Sequence, residues 1–303
     1  MVQDQECKNT IMRSCGFVYY RPLSPGSFNT KSSHSIKIER MDIYQVDAFS
    51  DSLFAGNPAA IVPLKKWRNG EDMQQIASEN NLSETAFFVK EKEGEFKIRW
   101  FTPETEVDLC GHATLAAAHV LYQHLGFDNK KTVNFLSHSG RLTVDKADGM
   151  YWLNFPAKPP KAVSAPKLLP EAIGTIPVYT GVNTDLLVLV ENETMVRKMK
   201  PDLVILKRLD VRGVIITAES NDKQYDFVSR FFAPAVGVPE DPVTGSAHTI
   251  LTPFWSKRLG KKNLVGRQLS KRGGTLRCSM DGDRVRIGGS AITYLTGRIL
   301  VDE

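Results

Sequence analysis

Leu109-Cys-Gly-His-Ala-Thr114 and Val243-Thr-Gly-Ser-Ala-His248 read as two copies of one segment. In each, a glycine opens a run of helical character, and the runs close at Gly126 and Gly260. Between opening and closing glycine the copies keep a constant offset of 134 residues with no gap. The likeness continues outward. Arg99-Trp-Phe-Thr-Pro103 recurs as Arg230-Phe-Phe-Ala-Pro234, and Glu84-Thr-Ala-Phe-Phe88 stands where the second copy has Arg212-Gly-Val-Ile-Ile216. Downstream, Leu136-Ser-His-Ser-Gly140 answers Leu269-Ser-Lys-Arg-Gly273, and polar turns at Asp148-Gly149 and Asp281-Gly282 lead into further strands. A single long repeat without a short solenoid period is a duplication. Two homologous halves are expected, residues 41–160 and 161–303.

The first helical run, Ala113 to Leu125, is apolar almost all round near its start, so it should be buried rather than amphipathic. Alternating or β-branched stretches at 43–49, 86–89, 96–101, 178–190, 214–217, 225–232 and 284–287 read as strands that wrap it. The expected fold is α+β: two pseudo-symmetric domains, each a barrel-like mixed sheet around one central helix. Gly126 and Gly260 are natural helix stops. Pro253 should kink the second helix or remove one of its hydrogen bonds.

Hydrophobic residues make up 42% of the 303 residues and charged ones 24%, a globular balance that excludes wholesale disorder. No apolar stretch is long enough for a helical membrane span. Of the net charge of +5, more than half falls in the first forty residues, so the body carries no basic stripe for nucleic acid. Residues 1–40 are polar and aperiodic. They read as a non-structural extension or a start set too early, with Met41 the working start, and a targeting role as the lesser alternative. The four cysteines (7, 15, 110 and 278) have neither metal-like nor disulfide-framework spacing, which suits a cytoplasmic protein. Phosphate-loop, dinucleotide, nucleophile-elbow and zinc motifs are absent, so neither cofactor nor metal is expected.

Duplication separates fold from function, because polar residues present in only one half are the better functional candidates. Glu84 is one: a carboxyl at the head of an apolar strand, where burial tunes such groups for proton transfer. The alternative is a capping or turn residue. His112 and Ser246 occupy equivalent places just after the glycines. His112 is a candidate relay or carbonyl polariser, or else a satisfied structural histidine. Asp241, ahead of Pro242-Val-Thr-Gly-Ser246, is a candidate partner for His112 or substrate, or a cap. The unpaired N–H groups at Gly111, His112, Gly245 and Ser246 could bind an anion if both helix starts face one cleft. Cys110 sits before a helix, where a thiolate is favoured. Its counterpart is Thr244, so a facing thiol pair is missing.

At these residues the sequence resembles the PhzF-like family of phenazine biosynthesis, within the diaminopimelate-epimerase-like fold. The resemblance covers essentially all of 41–303. It rests on Val46-Asp-Ala-Phe49, Gly56-Asn-Pro-Ala-Ala60, Leu82-Ser-Glu-Thr-Ala86, Arg99-Trp-Phe-Thr-Pro103, Cys110-Gly-His-Ala-Thr114 and Glu240-Asp-Pro-Val-Thr-Gly-Ser-Ala247. It implies a cofactor-free isomerisation of a small carboxylate-bearing substrate. Glu84 is then the acid/base, with His112 and Asp241 catalytic beside it, and Gly111, Gly245 and Ser246 hold the substrate. A site between the halves and a homodimer are implied as well. A thiol-assisted racemase or epimerase, and a non-catalytic binding or regulatory protein using the same cleft, are the competing readings.

Overall fold

The computed structural model describes residues 38–302. Residues 1–37, most of the expected extension, lie outside the described residues. The first half comprises β1 (Ile38–Ala48), β2 (Asn57–Leu64), α1 (Gly70–Asn80), β3 (Glu84–Lys92), β4 (Glu95–Phe101), β5 (Glu106–Val107), α2 (Gly111–His124), β6 (Val133–Ser137), β7 (Gly140–Ala147) and β8 (Met150–Pro156). The second begins with β9 (Lys161–Ala162), α3 (Leu169–Ile173), β10 (Tyr179–Val182), β11 (Leu186–Leu189), α4 (Glu193–Lys198) and α5 (Leu203–Lys207). It continues with β12 (Val214–Glu219), β13 (Phe227–Ala233), β14 (Val238–Asp241), α6 (Gly245–Leu259), β15 (Asn263–Gln268), β16 (Gly274–Asp281), β17 (Arg284–Gly289) and β18 (Ala291–Asp302).

The strand pairings repeat. In the first half β2 runs parallel to β3, β3 antiparallel to β4, and β4 parallel to β6, followed by the β6-β7-β8 meander. In the second, β11, β12, β13 and β15 pair in the same senses before the β15-β16-β17 meander. A parallel neighbour needs a crossover connection, and α1 and the α4–α5 pair lie in the two equivalent crossovers. These helices were not foreseen around a single central helix per half. With only five or six residues each, α3, α4 and α5 are too short to carry a helical period. The expected strand at 178–190 is divided into the antiparallel pair β10 and β11, turned at Asn183–Asp185.

The halves are sewn together in two ways. β8 pairs antiparallel with β17 along Tyr151–Pro156, making the sheet continuous. Each meander then sends its next strand across the seam. β9 pairs with β10, and β18 runs beside β1 from Ile38 opposite Asp302 to Ala48 opposite Ala291. The chain's last strand thus completes the first sheet, and β1 begins three residues ahead of Met41. Residues 41–160 and 161–303 stand as our proposal for the duplicated units.

Helix α2 is buried without interruption from His112 to Tyr122. Fourteen residues are marginal as an isolated helix, whereas each fully buried aliphatic side chain contributes about 1.5–3 kcal/mol. Burial therefore decides the helix, and an apolar run with no polar face has only the barrel interior to occupy. Helix α6 is the counterpart, buried at Ala247–Thr252 and Trp255, and it continues through Pro253. Proline supplies no N–H to the carbonyl of Thr249, but the backbone N–H of Lys158 donates to that oxygen at 2.9 Å. The linker after β8 thus satisfies the acceptor that proline leaves free.

The repeated aromatic motif also has a structural role. Arg99 forks onto Glu106 at 2.7 and 2.6 Å, and Arg230 forks onto Glu240 at 2.7 and 2.9 Å. Each guanidinium lies over the aromatic ring two residues on, Phe101 or Phe232. These pairs tie the short strands β5 and β14 to β4 and β13, just ahead of the two central helices.

Candidate active site

The two central helices meet at their N-termini. A methyl group built on Gly111 would stand 3.6 Å from the Cα of Gly245, ordinary contact distance. Neither helix has a side-chain cap, since Cys110 and Thr244 occupy the cap positions without capping bonds. Neither has an acidic residue in its first turn. Two uncapped positive dipole ends therefore converge on the seam.

The polar residues at the seam come from both halves. Asn57 and Glu84 head the parallel strands β2 and β3, with Ala59 opposite Glu84, so both lie at the same end of the sheet. The Oε2 atom of Glu84 stands 3.0 Å from Nε2 of the buried His112. This is a close charge contact and not an aligned hydrogen bond: each of these buried atoms lacks a directed partner. On the other ring edge, Nδ1 lies 3.2 Å from the Asn57 amide nitrogen and 3.5 Å from the Cys110 sulfur. The ring is thus held between Glu84 on one edge and Asn57 and Cys110 on the other.

Asn57 carries the connection to the second half. Its amide donates to Asp241 Oδ1 at 2.7 Å and to the Val243 carbonyl at 2.9 Å. The Asp241 carboxylate also accepts from the Thr244 hydroxyl, while Gln268, fully buried, donates to the Asp241 carbonyl and accepts from the Thr244 N–H. Glu84, His112, Asp241, Gly111 and Gly245 are thus gathered at one place. Ser246 faces Arg212, whose Nη2 lies 3.3 Å from its hydroxyl and which is forked onto the buried Asp185. The places of Glu84 and His112 are therefore taken in the second half by Arg212 and Ser246, again in contact but with an acid replaced by a cation.

Sequence reasoning singled out neither Asn57 nor Gln268 nor Arg212 as a functional residue. Asn57 carries the same signal as Glu84, a polar residue heading an apolar strand. Arg212 was visible as Glu84's opposite number in the duplication. Gln268 ends a strand among polar residues and carries no such signal. Four surface cavities of about 310 to 690 Å³ lie elsewhere, none lined by Glu84, His112 or Asp241. The converging polar groups mark this place.

Charge balance at the seam is dominated by burial. It disfavours the His112 imidazolium, but the Glu84 carboxylate and the contact with the Cys110 sulfur outweigh it and hold the pKa well above the ordinary 6.5. Burial pushes the Cys110 thiol up to about 11, so it is a thiol at neutral pH. Two other histidines, His119 and His248, are pushed down by burial to about 4 and are neutral. His248 Nδ1 donates to the Thr244 carbonyl at 2.8 Å, a structural role.

Burial also raises the Asp241 carboxyl from 3.8 to about 6, against the opposing pull of the His112 charge. An acid with a raised native pKa holds its proton longer when folded. Its penalty on stability is absent below about pH 4, grows as pH rises through 4–6, and is complete above about pH 6. Asp241→Asn is therefore expected to match the wild type near pH 4 and exceed its stability by about 1–3 kcal/mol at about pH 8. Urea unfolding at the two pH values checks this; a variant equally destabilised at both would refute the burial argument.

Fold and site together define a duplicated, pseudo-symmetric protein of the diaminopimelate-epimerase-like class, with a polar cluster at the seam where two central helices begin. The phenazine biosynthesis-like (PhzC-PhzF) family model matches residues 46–297, and the chain belongs to that family. An uncharacterized isomerase of Pseudomonas aeruginosa is 51% identical over 86% of this chain and 98% of its own length. Mouse phenazine biosynthesis-like domain-containing protein 1 is 40% identical over 86% of the chain and 99% of its own. Among solved structures, a PhzF-family protein of Enterococcus faecalis superposes with a TM-score of 0.84 at 44% identity, covering 87% of this chain and all of that one. A hydroxyproline epimerase of Agrobacterium vitis shares the fold at 11% identity, with a TM-score of 0.58 over 87% of this chain and 93% of its own. Among the described residues no helix is long and apolar enough to cross a membrane.

Proposed function

We propose that this chain is a cofactor-independent isomerase that moves a proton between two carbons of a small carboxylate-bearing substrate, with Glu84 as general acid/base. The observation that carries this reading is the contact between Glu84 Oε2 and His112 Nε2, two buried polar atoms with no other partner, set where both halves meet. Buried polar atoms are normally satisfied. A pair left free beside two uncapped helix ends is suited to a reacting molecule. The relatives in Pseudomonas aeruginosa named as isomerases support the reaction class.

In this mechanism the uncapped N–H groups at Gly111 and Gly245, with Ser246, hold the substrate carboxylate and the negative charge that develops when its α- or vinylogous carbon loses a proton. Glu84 takes that proton and returns it elsewhere on the conjugated system. His112, its pKa raised beside Glu84, steadies the carboxylate and shares the proton. Asp241, with a carboxyl near 6, can change protonation close to neutral pH, as a relay requires. Asn57 holds His112 and Asp241 together. Cys110 stands as a neutral thiol with Thr244 as its counterpart, which gives the thiol-assisted racemase reading no support.

The test is deuterium wash-in. The full chain is incubated in D2O with a panel of small cyclic and amino carboxylates, and label is followed by mass spectrometry and NMR. Enzyme-dependent incorporation at carbon is the expected result. No exchange across the panel, with ligands still raising the melting temperature, would transfer the site to a binding protein.

A further inference from the structure

We propose that Arg212, with Ser246 beside it, receives the carboxylate of the substrate and thereby sets which end of the molecule lies against Glu84. The orientation rests on the isomerase reading above; the binding role does not.

Arg212 stands just ahead of β12, as Glu84 heads β3, and its side chain reaches the first turn of the second central helix. The guanidinium is held from one edge. Nε and Nη2 donate to the two oxygens of Asp185 at 2.8 and 2.6 Å, and the Phe231 ring lies 5.6 Å from the guanidinium carbon. Asp185 is fully buried at the turn between β10 and β11, so it fixes the arginine without reaching a bound molecule itself.

The other edge is unused. Among the described residues no protein acceptor bonds to Nη1, and the arginine side chain is 40% exposed. Arg230 shows the contrast: its Nη1 is consumed by the carbonyls of Val196 and Met199, and its side chain is 13% exposed. The Ser246 hydroxyl lies 3.3 Å from Arg212 Nη2, a long contact beside the open N–H groups of the helix start. A carboxylate lodged there would accept from guanidinium, hydroxyl and backbone together.

Charge favours the same occupant. Burial raises the Asp185 carboxyl pKa, while Arg212 and Lys158 both pull against it. Lys158 reaches Thr184 Oγ1 at 2.9 Å, so two cations flank one buried acid. The seam is therefore polarised. Glu84 and His112 stand at the first helix start, Arg212 and Ser246 at the second, with Gly111 and Gly245 in contact between. A substrate whose carboxylate lies at Arg212 presents its far carbon to Glu84. The reverse placement brings two carboxylates together, which like-charge repulsion disfavours.

The test reads binding by calorimetry, which needs no turnover. The probes are benzoate, cyclohex-1-ene-1-carboxylate and pyrrole-2-carboxylate, each against its carboxamide, which keeps the shape and loses the charge. The wild type should prefer the carboxylate by about 10–100-fold, as charge-assisted hydrogen bonds supply. Removing Arg212 alone strands the buried Asp185 charge. The test variant is therefore Asp185→Asn with Arg212→Gln, in which neither charge remains. Its preference should fall to about two- to fivefold, what the helix ends alone provide. Arg212→Lys keeps the charge but loses the fork, and should lower the preference at least about threefold; it decides the matter if the double variant does not fold.

A structural ion pair predicts otherwise: its loss would weaken carboxylate and carboxamide alike and leave their ratio unchanged. That result overturns the proposal, as does a wild type that binds none of the three carboxylates or binds each no better than its amide. For a carboxylate that exchanges deuterium, the double variant should raise KM about tenfold or more, and an unchanged KM would overturn the orientation. A chain that shows no exchange with any substrate refutes the isomerase reading and the orientation with it, yet the calorimetric ratio still decides whether Arg212 receives a carboxylate.

Discussion

Glu84→Gln is expected to lower the rate of deuterium exchange by about 10²–10⁴ while changing substrate affinity by no more than a few-fold. Glutamine keeps the length, the shape and one oxygen acceptor, so the geometry at the head of β3 survives. What it lacks is a basic lone pair that can take a proton from carbon and give it back. The loss corresponds to about 3–5 kcal/mol of transition-state stabilisation. Removing the carboxylate also deletes the negative charge that helps hold the His112 pKa up, so that histidine should titrate lower in the variant. Exchange rates with the best substrate of the panel, together with NMR titration of His112, check both statements. Exchange at the wild-type rate would exclude Glu84 as the base.

The largest expected loss of stability comes from one methyl group at Gly56. Its φ of +68° lies in the left-handed region, and a Cβ there would stand 2.2 Å from the Ala48 carbonyl oxygen and 2.9 Å from the Ser50 Cβ. The backbone has little freedom to retreat. The Gly56 N–H donates to the Gly273 carbonyl at 2.7 Å, and its own carbonyl accepts from Arg272 at 2.9 Å. Arg272 is itself held by the buried Asp47 at 2.7 Å. A left-handed conformation costs a non-glycine residue about 1–2 kcal/mol, and overpacking typically adds about 1–3. Gly56→Ala should therefore destabilise the fold by about 2–5 kcal/mol and lower the melting temperature by roughly 5–15 °C.

Gly126→Ala is the control. Gly126 has the same φ of +68° but nothing within 4 Å of the added methyl, so only the conformational cost applies. Equal melting temperatures for the two variants would refute the packing argument. Because Asn57 is the next residue, Gly56→Ala should also slow exchange in whatever protein remains folded, through displacement of the amide that joins His112 to Asp241.

How much of the site was legible follows from where each residue's information lies. Glu84 and His112 stood out because their counterparts in the other half differ, and a duplicated chain carries its own comparison; Asp241 stood out by its place just ahead of the second helix-opening motif. Asn57 did not, although it makes the contacts that join the halves. Its importance depends on Asp241 and Val243, nearly two hundred residues away, reaching the head of β2. Gln268 was invisible for the same reason: its side chain bonds to the backbone of Asp241 and Thr244 and to the Thr244 hydroxyl, and nothing local in β15 signals that partnership.

The sequence by itself determined the duplication, the family, the two buried central helices and several of the strands, because these rest on periodicity and on patterns repeated at a fixed offset. A helix apolar all round can only be a core helix, wherever the chain places it. Only the tertiary structure decided that the last strand returns to pair with the first, that Lys158 satisfies the carbonyl freed by Pro253, and that Glu84, Cys110 and His112 share one small volume. Those are long-range contacts, set by how two twisted sheets join and by which buried polar atoms find partners. Neither propensity nor spacing along the chain encodes such distances.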